Sequence, residues 1–103
     1  MARVNGGVRA GAFGAPTLAY FTVSPDADLT GEVGSPNTAL EAIIQTIQTK
    51  ATTFIIGTIG ASSFRVACEP SAWSAADLEA AIQALGTVNS KDLSGATVAD
   101  FTF

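Results

Sequence analysis

Thr52-Thr53-Phe54-Ile55-Ile56-Gly57-Thr58-Ile59-Gly60-Ala61-Ser62-Ser63-Phe64-Arg65-Val66-Ala67-Cys68-Glu69-Pro70 is the stretch on which the fold turns. Thr52 to Ile59 is rich in β-branched and aromatic residues and is apolar on both faces, which predicts a strand. Gly60-Ala61-Ser62 makes a short turn. From Ser63 to Glu69, Phe64, Val66 and Cys68 alternate with Arg65, Ala67 and Glu69, which predicts a second strand with one buried and one polar face. The pair reads as a hairpin that Pro70 closes.

A helical pattern flanks the hairpin on each side. Upstream, Leu40, Ile43, Ile44 and Ile47 fall at i, i+3, i+4 and i+7, so four branched aliphatics share one face opposite Glu41, Gln45, Gln48 and Thr49. Ser35 is the expected N-cap, with Pro36 at the first helical position and Lys50 near the C-terminus. Downstream, Ser74 caps a second helix, Asp77 stands in the capping-box position, and Trp73 is placed to staple onto Leu78. Leu78, Ala81, Ile82 and Leu85 repeat the helical spacing up to a stop at Gly86.

A strand is expected at each end of this block. Thr17 to Ser24 is strand-forming and stops at Ser24-Pro25-Asp26, while Ala96 to Phe103 alternates with Ala99, Phe101 and Phe103 on one side. Residues 26–34 are acidic and punctuated by glycine, and read as a surface loop. The order strand, helix, strand, strand, helix, strand predicts an α+β fold, a ferredoxin-like βαββαβ two-layer sandwich. Two amphipathic helices on one face of a four-stranded antiparallel sheet give both stripes a place to go. Residues 17–103 form this single domain, and residues 1–16 precede it as an extended N-terminal arm.

Composition excludes most chemistries. The 103 residues carry no His and one Cys, so neither a conventional zinc set nor an intrachain disulfide is available. Ser and Thr have no imidazole base, and the spacing of Lys50 and Lys91 suggests no Ser-Lys pair. Cys68 lies on the face of Phe64 and Val66 and reads as packing. Asp26, Asp28, Thr30 and Glu32 alternate like an oxygen-rich cation loop, but the EF-hand glycine and glutamate are missing. Asp77 and Glu79 suit the first turn of a helix. Neither GxGxxG nor GxxxxGK[ST] occurs. No catalytic, metal or cofactor site is predicted, so the chain is read as non-enzymatic.

Net charge is −4 and only 14% of residues are charged, against roughly 25% in an average domain. With Lys50, Arg65 and Lys91 scattered, no nucleic-acid surface is predicted, and Phe64-Arg65-Val66 lacks the aromatic and basic signature of an RNA-binding sheet. No run reaches the roughly 18 apolar residues of a membrane span, and the glycine-broken start does not read as a signal peptide. A weakly charged Ala/Thr/Ser surface suits burial against other subunits.

The arm, Met1-Ala2-Arg3-Val4-Asn5-Gly6-Gly7-Val8-Arg9-Ala10-Gly11-Ala12-Phe13-Gly14-Ala15-Pro16, has two arginines, no acid and no apolar period. Extended, it reaches roughly 50 Å at about 3.3 Å per residue. Ordering it costs on the order of 16 kcal/mol at about 1 kcal/mol per residue, which demands a docking surface. The expected surface is a partner chain, met by Arg3, Val4, Val8, Arg9 and Phe13. The alternatives are an edge of its own sheet and a crystal lattice.

The Gly/Ala arm at 2–16, the His-free, low-charge Ala/Thr/Ser body and the bare catalytic inventory together resemble small virion accessory proteins of tailed bacteriophages, the capsid decoration or cement proteins. The resemblance spans the whole chain but contains no specific motif. It implies a structural protein on the capsid surface, made in the host cytoplasm, that binds major capsid protein, and in some cases itself, and reinforces the shell. A small dimeric regulatory or ligand-binding module with the same fold, pairing through its sheet, is the alternative.

Overall fold

The computed structural model describes residues 18–102, so the arm lies outside the described residues. The chain forms β1 (Ala19–Ser24), a 3-10 turn (Thr30–Glu32), α1 (Ala39–Gln48), β2 (Thr53–Ile56) and β3 (Phe64–Cys68). It continues with α2 (Ala75–Gln83), β4 (Thr87–Val88), β5 (Lys91–Asp92) and β6 (Thr97–Asp100). The fold is mixed α+β, with two helices and a four-stranded antiparallel sheet in the order β2-β3-β1-β6.

Register sorts the sheet into two faces. Phe21 stands opposite Val66 and Val23 opposite Phe64, and all four are buried with the helical residues Ile43, Ile47, Leu78 and Ile82 in one core. Burial of each such side chain stabilises the fold by about 1.5–3 kcal/mol. Tyr20, Thr22, Arg65 and Phe54 alternate onto the other face, away from the helices.

The α1 N-terminus differs from the expectation. Thr38, not Ser35, is the N-cap: its Oγ1 accepts the Glu41 N–H at 3.1 Å, and Glu41 reaches back to the Asn37 N–H at 2.7 Å. A third acceptor completes the end, because Glu32 Oε1 takes the Leu40 N–H at 3.0 Å. Of the four aliphatics on the stripe, Leu40, Ile43 and Ile47 are buried and Ile44 is half-buried. In α2 the expected cap is present, with Ser74 Oγ accepting the Asp77 N–H at 3.1 Å, and Gly86 ends the turn at φ 66°. Trp73, expected to staple onto Leu78, instead donates its indole N–H to the Ile47 carbonyl at 3.0 Å, with the Lys50 ammonium 4.2 Å from its ring centre.

The surface loop 26–34 is corrected in part. Leu29 and Glu32 are buried, so its middle is a plug rather than a solvated strap. A second departure is the β4–β5 hairpin, whose central residues Asn89 and Ser90 have φ 51° and 64°. Two positive φ values in a two-residue loop fit a type I′ turn, which matches the twist of the flanking strands.

Candidate interaction surface

The two open edges of the sheet differ. At β6, α2 supplies cover: Glu79 Oε1 accepts the Val98 N–H at 2.9 Å, and Gln83 Nε2 donates to the Ala96 carbonyl at 2.8 Å. At β2, among the described residues, no side chain bonds a backbone group of Thr53–Ile56 from the outer side. Its sequence, Thr-Phe-Ile-Ile, carries no charge or proline to protect that edge. Phe54 is 58% exposed and Ile55 41%.

The two exposed side chains of β2 open onto different surfaces. Ile55 pairs with buried Val66 and so belongs to the helix side, where it lines a groove of about 330 Å³ with Ile44, Gln45, Gln48 and Glu41 of α1. Phe54 pairs with Ala67 on the opposite face. There Tyr20 and Phe101 meet edge to face at 6.4 Å, and the Arg65 guanidinium lies 4.1 Å from the Phe101 ring centre. Ala67 is buried beneath these larger neighbours, which turns a position expected on a polar face into the floor of an aromatic one.

A second concavity, of about 400 Å³, lies where the end of β1 meets Ala61-Ser62 and Gly95, and Asp26 and Asp28 line it. Both carboxylates have local work. Asp28 Oδ1 accepts the Thr30 hydroxyl at 2.6 Å and the Thr30 N–H at 3.0 Å, and these bonds, the hydroxyl's first, hold its pKa below the ordinary value. Asp26 packs its carboxylate against Gly95, where an added Cβ would come within 2.5 Å of Oδ2. Glu32, the third acid of the alternating loop, turns inward. Among the described residues no group of three or more His, Cys, Asp or Glu side chains is arranged to hold a metal ion.

Cys68 is buried on the core face of β3, and burial, then the charge of Glu69, push its thiol pKa up. A thiol so placed is a poor nucleophile. No helix among the described residues is long and apolar enough to cross a membrane. The predicted contact residues Arg3, Val4, Val8, Arg9 and Phe13, and also Phe103, lie outside the described residues. Phe54, Ile55 and Tyr20 are the surface residues that the sequence reading missed. The signal available for them was the uncharged Thr-Phe-Ile-Ile run itself.

The chain matches no protein-family model, no curated protein and no solved structure.

Proposed function

We propose that this chain is a non-enzymatic structural protein of a viral particle, a capsid decoration or cement protein that binds the major capsid protein and reinforces the shell. The fold in this reading is a ferredoxin-like sandwich, supported by the strand order, in which the first and third major strands are central and the second and fourth lie at the edges. The observation that carries the function is the exposed Phe54 and Ile55 on an uncovered edge strand, beside an aromatic face with a single guanidinium. An apolar surface of this kind on a small, weakly charged domain marks a protein–protein contact. Arg3, Val4, Val8, Arg9 and Phe13 extend that contact from the arm.

The test places a photo-crosslinking phenylalanine analogue at position 54 of the full chain during particle production, and identifies adducts by mass spectrometry. Adducts with a repeating shell subunit sustain the reading. A discrete dimer crosslinked only to itself, with a melting temperature that rises with a small effector, overturns it in favour of the regulatory module. That alternative draws on the same aromatic sheet face, which a second copy could cover.

A further inference from the structure

We infer that residues 10–13 of this same chain add to the open edge of β2 as a fifth, antiparallel strand. The inference is independent of the shell-protein reading and holds for any function of the domain.

Three observations carry it. The first is the contrast between edges: α2 covers β6 with Glu79 and Gln83, while β2 presents its outer backbone groups and two apolar side chains without cover among the described residues. Unprotected apolar edges of this type pair readily with another strand.

The second is position. Ala19 pairs with Cys68, and Cys68 pairs with Thr53, so the chain enters β1 at the end of the sheet where β2 begins. Strands are about 4.8 Å apart, so a strand outside β2 lies three spacings, about 14 Å, from β1. Residues 14–18 span that distance at about 3.3 Å each. The residues before them then run along β2 from Thr53 toward Ile56 as their numbers fall, which makes their direction antiparallel to β2. A tethered segment is present at an effective concentration in the millimolar range, which no separate partner matches without strong affinity of its own.

The third is charge. Arg3 and Arg9 are two of the five basic residues, so the rest of the chain sets three bases against nine acids. The groove beside β2 carries Glu41 at the end of α1 toward which the path leads, with Gln45 and Gln48 along its wall. Arg9 arrives at that end, and Arg3, Val4 and Val8 continue past Ile56, available to a partner.

Amide hydrogen exchange read by mass spectrometry over residues 52–57 tests the pairing, in the full chain and in the full-length double variant G11P/A12P. Adjacent residues of a strand point their N–H groups in opposite directions, so the two prolines remove a donor toward β2 in either register. The expected result is at least tenfold faster exchange over 52–57 in the variant, with β1 and β3 unchanged and a control N5P/G6P behaving like the parent. Equal exchange in parent and variant overturns the inference. Sedimentation decides the occupant: a monomer in both proteins sustains own-chain docking, whereas a dimer that the prolines dissociate shows the arm of a second copy on β2 and overturns it. Either outcome leaves the Phe54 crosslinking result to judge the shell-protein reading separately.

Discussion

Asn89 is tied to Glu32 across fifty-seven positions of sequence: its side-chain amide donates to Glu32 Oε2 at 2.9 Å, while Glu32 Oε1 accepts the Leu40 N–H. One buried carboxylate therefore joins the 3-10 turn, the start of α1 and the tip of the β4–β5 hairpin. Each of its oxygens has a donor, which is the condition under which a carboxylate can be buried at 6% exposure.

Replacing Glu32 with Ala leaves the Leu40 N–H and the Asn89 amide without their acceptor. The expected cost is about 3 kcal/mol. Thermal unfolding followed by circular dichroism should show the midpoint falling by at least ~10 °C for a domain of this size. E32Q should fall between parent and E32A, because its amide oxygen can serve one of the two donors.

Asp28 and Asp92 should titrate below the ordinary aspartate value. In Asp28 the Thr30 hydroxyl and then its N–H favour the ionised form, and in Asp92 the Ser94 N–H and then its hydroxyl do the same. A folded pKa that is depressed contributes stability above the unfolded value, near 3.9, and loses it as pH falls through the folded value. NMR titration of the carboxyl carbons checks this. T30V and S94A should each move the midpoint of their own aspartate upward, toward but short of the unfolded value, since the backbone N–H remains.

Gly95→Ala tests the wall of the acidic cleft. The new methyl would meet Asp26 Oδ2, whose residue is held at φ 61° and has limited freedom to retreat. A loss of about 1–2 kcal/mol is expected, typical of overpacking. D26A should recover part of it, and denaturant unfolding of the double-mutant cycle should give a coupling of at least ~0.5 kcal/mol.

Phe54→Lys should separate surface from scaffold. With the ring more than half exposed, stability should change by less than about 0.5 kcal/mol. Retention on purified shells, measured by co-sedimentation, should fall at least tenfold. Retention at the parental level would show that the outer sheet face takes no part in assembly.

Much of the fold was legible because burial imposes a period. The stripes of α1 and α2, the alternation in β3 and the Ser74 cap all follow from side chains spaced to meet one core. Helix starts were less legible: Ser35 and Thr38 both stand before α1, and only the Glu41 carboxylate returning to Asn37 distinguishes them. The Thr-Phe-Ile-Ile run, apolar on both sides, reads like a strand enclosed by neighbours, yet the crossover that seats β1 beside β3 leaves it at the edge. Burial of Glu32 depends on Asn89, a partner too distant for any local pattern, and the two-residue strands β4 and β5 are too short to show a period. The interaction surface was read from the arm, whereas its described part lies on β2 and the outer sheet face.

The position of β1 has a mechanical consequence. Residues 1–17 lead directly into a strand bonded on both sides, through five residue pairs to β3 and four to β6, with a further bond from the Phe101 N–H to the Tyr20 carbonyl. Tension applied through the arm along the strand axis loads both ladders in shear, so their bonds share the force rather than opening one after another. The same pull on an edge strand would meet a single ladder. A tether rooted in the middle of the sheet passes load into the whole domain, which gives any particle that grips the arm a firm point of attachment.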